Sequence, residues 1–97
     1  MKCELTLHAR NRLRERASEL SRVCEDVFSE IWSKINEFCE KDPIIRAIKR
    51  NDEYSSCVKL DCDNFYLVIV FAIKEDGVKI ITLFPTSKKV TLERYCY

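Results

Sequence analysis

The chain has 97 residues, 46% of them hydrophobic and 34% charged, with a formal net charge of +1. That length fills one core and is too short for two, so a single domain over residues 1–97 is expected. No apolar run approaches the roughly 18 residues that span a bilayer, and the first residues lack the cationic-then-apolar order of a secretory leader, so a cytoplasmic protein without membrane contact is expected. The single glycine excludes both the P-loop and the dinucleotide fingerprint, and no cofactor is implied.

Charge is unevenly placed. Residues 1–22 carry six Lys or Arg against three Asp or Glu, whereas residues 23–42 carry Lys34 and Lys41 against six acids. Two differently used surfaces follow from that bias.

Cys3, Leu5 and Leu7 alternate with Lys2, Glu4 and Thr6, which marks a half-buried strand. Helical periodicity takes over at Ala9 and runs through Leu13, Ala17, Leu20, Cys24, Val27, Ile31, Ile35 and Phe38. One unbroken helix over 8–41 would be about 50 Å long, more than a domain of this size is wide, so a break is expected near Ser18 to Arg22, with a serine capping a second helix. Asp42-Pro43 then opens a short third helix with Ile44, Ile45 and Ile48 on one face. Lys49 to Glu53 leads into a loop carrying Tyr54, Ser55 and Ser56.

Val58, Leu60 and Cys62 alternate with charged residues, while Phe65 to Ile73 is apolar at nearly every position and reads as a central strand covered on both faces. Gly77 supplies the turn, Val78 to Phe84 returns antiparallel, and Pro85 closes the hairpin. The corner Thr86-Ser87-Lys88-Lys89 leads to a last strand through Val90, Leu92 and Arg94. Strand, helices and then about four strands give an α+β fold, with the N-terminal strand and helices packed on one face of a C-terminal antiparallel sheet.

Six cysteines without a CxxC pair, beside one histidine, do not make a zinc site, and no metal is implied. Cys57 and Cys62 differ by an odd number and cannot bridge along one strand. Cys3 and Cys96 are expected on neighbouring terminal strands, and Cys24 and Cys39 also fit helix faces as buried thiols. Absent Gln, scarce Gly and abundant Lys, Glu and Ile suit a hyperthermophile, whose cytosolic proteins can carry disulfides.

The richest stretch chemically is LTLHARNRLRER. On a helix His8, Arg12 and Arg16 share one narrow arc beside the apolar stripe, and Arg10 and Arg14 fall on its other flank. Imidazole moves a proton near neutrality and guanidinium holds phosphate through paired donors, so this arc is the minimum kit for metal-free RNA cleavage. In that scheme His8 is the general acid or base, and Arg12 and Arg16 stabilise the phosphate. Arg10, Arg14, Tyr54, Thr86 and Lys88 supply further RNA contacts. Arginines at this spacing equally form a solvated face supported by Glu15 and Glu19.

LTLHARNRLRER, the helical segment after it and the hairpin FYLVIVFAIKEDGVKIITLFPTSKK resemble the RelE/ParE/BrnT-like toxin superfamily. The resemblance implies a metal-free endoribonuclease of a toxin-antitoxin pair, neutralised by a partner antitoxin, with His8, Arg12, Arg16 and Lys88 at the site. Two other readings stay open. One is a non-catalytic inhibitor or accessory protein of a mobile element or virus that binds another protein, or forms a homodimer, through the acidic second helix with Phe28, Trp32 and Phe38. The other is nucleic-acid binding without cleavage.

Overall fold

The computed structural model describes residues 3–40, 47–62, 64–75 and 77–96. Strand β1 (Cys3–Leu5) leads through Thr6 into helix α1 (Leu7–Leu20), followed by α2 (Val27–Glu40). Four strands come next: β2 (Ile48–Arg50), β3 (Glu53–Lys59), β4 (Tyr66–Lys74) and β5 (Gly77–Thr86), and α3 (Lys89–Cys96) ends the described chain. The fold is α+β.

Thr6 fixes the strand-to-helix junction. Its hydroxyl oxygen accepts the Ala9 backbone N–H at 3.1 Å, the usual N-cap bond, while the hydroxyl donates to the Ile81 carbonyl at 2.9 Å. Its own N–H donates to the Ile80 carbonyl at 3.0 Å. One residue therefore starts α1 and pins that start to β5.

The break in the helical run falls at residues 21–26, directly after the expected position. Ser21 closes α1 rather than opening α2: its N–H reaches the Ala17 carbonyl and its hydroxyl donates to the Ser18 carbonyl at 2.6 Å. Asp26 sits at φ 50°, and this left-handed residue redirects the chain into α2. The apolar stripe stays in phase because the Cys24 N–H still bonds the Leu20 carbonyl, keeping the connection coiled.

The sheet has five strands in the order β1-β5-β4-β3-β2, with β1 parallel to β5 and every other pair antiparallel. It is mixed, and one strand wider than the composition of the C-terminal half suggests. The continuous apolar run lies at its centre as β4. Leu67, Ile69 and Phe71 face the buried stripes of α1 and α2, and Phe71 meets Phe38 edge-on at 5.0 Å between ring centroids. Val68, Val70 and Ala72 point to the other face. Pro85 is accommodated inside β5 because β1 pairs only with residues 78–80, leaving the far half of β5 with β4 as its one neighbour.

Three expectations are corrected. The expected last strand over 90–95 is the helix α3. The Thr86 hydroxyl accepts the Lys88 N–H at 3.2 Å, the Leu92 N–H bonds the Lys88 carbonyl, and the half-buried positions 91, 92, 95 and 96 follow a helical period. Tyr54 to Ser56 lie in β3, not in a loop, because Asn51 at φ 54° permits a two-residue turn that folds Ile48–Arg50 back on β3. Ile48 is thus a strand residue, and the rest of the expected third helix, over 41–46, lies outside the described residues.

The cysteines form the bridges Cys3–Cys39, Cys24–Cys62 and Cys57–Cys96, with Cα separations of 5.8, 5.8 and 5.5 Å. Cys3 and Cys96 are not partners, since α3 turns back over β3, and Cys24 and Cys39 are not free thiols. The paired cysteines lie 36, 38 and 39 residues apart in sequence. In the chain-entropy picture each bridge contributes about 4 kcal/mol by constraining the unfolded chain.

Candidate functional site

The two flanks of α1 are built differently. On the first, His8 is exposed in the opening turn, and among the described residues no hydrogen bond or ion pair joins it to another side chain. Arg12 lies 3.9 Å from Glu15 and Arg16 is hydrogen-bonded to Glu19 at 3.0 Å, both at i, i+3. Each pair is more than a third exposed, so these contacts contribute only tenths of a kcal/mol. Each guanidinium is engaged locally through one terminal nitrogen, while the Arg16 Nε is buried without a hydrogen-bond partner among the described residues.

On the second flank, Arg10 and Arg14 are exposed, and among the described residues neither has an ion-pair or hydrogen-bond partner. The acids of α1 sit on the opposite side of the helix. Arg14 borders a shallow groove of about 380 Å³ between α1 and α2, floored by Ala17 and Val27 and closed by Phe28 and Asp26. Its lining is mainly apolar. Phe28 is 46% exposed and its ring meets Trp32 edge-on at 6.2 Å, one helical turn further along α2. Small residues on α1, namely Ala17, Ser18 and Ser21, leave the hollow beside that ring.

The other expected RNA contacts lie apart from these. Tyr54 is half-buried and stacks on Phe71 at 5.5 Å and 17°, with the Lys49 ammonium 5.9 Å from its ring centre, so its face packs the core. Thr86 is buried at 8% exposure, and its hydroxyl serves the turn before α3. Lys88 is exposed on that turn. No hydrogen bond or ion pair among the described residues links His8 to Arg12, Arg16, Tyr54, Thr86 or Lys88, and His8 lines neither groove.

A second groove, about 760 Å³, lies along the other flank of α2 against the β3–β4 connection. Glu25, Asp26, Glu30, Glu37 and Asp61 line it with Lys34, and the Cys24–Cys62 bridge forms part of its wall. The Glu30 carboxylate accepts the Asp61 backbone N–H and so closes one end. Among the described residues no group of three or more His, Cys, Asp or Glu is gathered to hold a metal ion. Phe38, expected at an interface, is 7% exposed and belongs to the core; of the α2 aromatics, Phe28 is the one well presented to solvent.

Sequence reading missed Thr6 as the junction residue, and it missed that Phe28 and Arg14 border one groove across the helix crossing. The first had a signal, a Thr three residues before Ala9 at the onset of the periodic run. The second had none, because it depends on the angle between two helices. Comparison with protein-family models, with curated proteins and with solved structures finds no match.

Proposed function

We propose that this protein is a non-catalytic binding domain that recognises a protein segment carrying an apolar anchor flanked by carboxylates. The observation that supports this reading is the coincidence of an exposed Phe28, an apolar hollow beside it and, on its rim, the guanidinium of Arg14, which has no partner among the described residues. An aromatic ring and an arginine beside an apolar hollow are the residue types that dominate binding energy at interfaces. A protein segment suits this site better than RNA: the hollow is apolar, the net charge is only +1, and the cations of the other flank are taken up by Glu15 and Glu19. No chemistry is required of His8.

The test uses peptides selected from a random displayed library against the oxidised full-length protein. Enriched sequences should combine one large apolar residue with Asp or Glu beside it, and Phe28→Ala should abolish their capture. Enrichment of basic peptides, or capture indifferent to Phe28, would overturn the reading. So would cleavage of a labelled RNA in EDTA that His8→Ala abolishes, because it would establish the nuclease instead.

A further inference from the structure

The sheet has two apolar faces, and different devices cover them. Leu67, Ile69 and Phe71 lie beneath α1 and α2, whose own buried stripes hold those helices in place. Val68, Val70 and Ala72 on the reverse face are equally sheltered, with exposures of 0, 9 and 8%. The element packed against that side of β3 and β4 is α3, which has eight residues and no buried side chain of its own. A helix this short is not stable alone in water.

Among the described residues, the ties between α3 and the sheet include a disulfide, a hydrogen bond and a ring contact. The Cys57–Cys96 bridge ties its last residue to β3, the Ser55 hydroxyl donates to the Tyr95 carbonyl at 2.9 Å, and the Tyr95 ring meets Phe84 edge-on at 5.5 Å. All three lie at its C-terminal end. Near its N-terminus Val90 is 78% exposed. The other two bridges differ: Cys3–Cys39 and Cys24–Cys62 join segments whose neighbours, among them Ile31, Ile35 and Phe38, are buried independently of the sulfur. Cys57 and Cys96 are half-buried, as are Cys3 and Cys39, so a small thiol reaches either pair; what sets the Cys57–Cys96 bridge apart is the short helix it holds.

We infer that α3 is a lid latched by the Cys57–Cys96 cystine, and that its reduction by a dithiol uncovers the Val68/Val70/Ala72 face while the rest of the fold stands. In the reaction a thiolate of the reductant attacks one sulfur to give a mixed disulfide, and its second thiol displaces the protein sulfur. The cystine gains two electrons and two protons and becomes two thiols, and the dithiol becomes a disulfide. This redox device is independent of the groove at Phe28.

Hydrogen exchange on the full chain tests it. In the Cys57→Ser/Cys96→Ser double variant, with the other bridges intact, the amides of residues 89–96 should exchange on the order of tenfold faster or more, and those of α1, α2 and β4 should keep their protection. Binding of the dye ANS should rise as the apolar face opens. Cys3→Ser/Cys39→Ser should leave α3 protection unchanged. Retained protection of α3 in the first variant, or loss of protection throughout the chain together with it, would overturn the inference. Should that variant fail to fold, stepwise reduction of the wild-type protein with dithiothreitol and alkylation decides: Cys57 and Cys96 should be labelled first, and prior labelling of either other pair would contradict the lid.

Discussion

One flank of α1 carries His8, Arg12 and Arg16, and the other carries Arg10 and Arg14. By count of basic side chains the first is richer. Helical geometry reverses that ranking, because Glu15 and Glu19 stand on the first flank, three residues after each arginine, and bring its guanidiniums into local ion pairs. The second flank carries two arginines that have no partner among the described residues, and Arg14 borders the hollow beside Phe28. A charge becomes available for recognition through what surrounds it, not through its presence in a motif.

The comparison can be broken at several points. The largest effect should come from the stripe both flanks share: Leu13 is 2% exposed, and Leu13→Ala should lower unfolding free energy by about 3 kcal/mol in a denaturant titration. Phe28→Ala should weaken binding of a selected peptide on the order of thirtyfold, about 2 kcal/mol, while shifting the unfolding midpoint little, because nearly half the ring is already in water. If stability fell as much as binding, Phe28 would be a core residue rather than an anchor.

Charge reversal sharpens the contrast further. Arg14→Glu should weaken the same peptide roughly tenfold and flatten the salt dependence of its affinity, since an exposed pair is screened over about 8 Å at physiological ionic strength. The smallest effect belongs to the first flank. Arg12→Ala should change stability by less than about 0.5 kcal/mol and leave peptide affinity within experimental error. A tenfold loss of affinity there would move the site across the helix.

Much of this architecture is legible in the residues. The alternation before Thr6, the stripe from Ala9 to Phe38 and the apolar run of β4 each report burial directly, so the first strand, the two long helices and the central strand could be placed. The segment 90–95 could not, because Val90, Leu92 and Tyr95 fit a period of two as well as a helix. What decides it lies outside the segment: the local Thr86 turn just before it and the long-range bridge from Cys96 to β3. Tyr54-Ser55-Ser56 resembles a loop locally and becomes strand by pairing with Ile69, Val70 and Phe71. Six cysteines permit 15 complete pairings, and sequence spacing alone does not choose among them. For the candidate site, the spacing gave both flanks of α1 and even the acids that neutralise one, but not the neighbour that makes the other useful. Phe28 comes to the same groove as Arg14 only through the turn at Asp26.

The central claim is that the Arg10/Arg14 flank recognises a partner and the His8/Arg12/Arg16 flank does not. Fluorescence polarisation with one selected acidic peptide tests it most directly, comparing Arg10→Ala/Arg14→Ala with Arg12→Ala/Arg16→Ala in the oxidised full-length protein. The account predicts a loss of affinity of at least about tenfold in the first double variant and less than about twofold in the second. The reverse order, or equal losses in both, would contradict it.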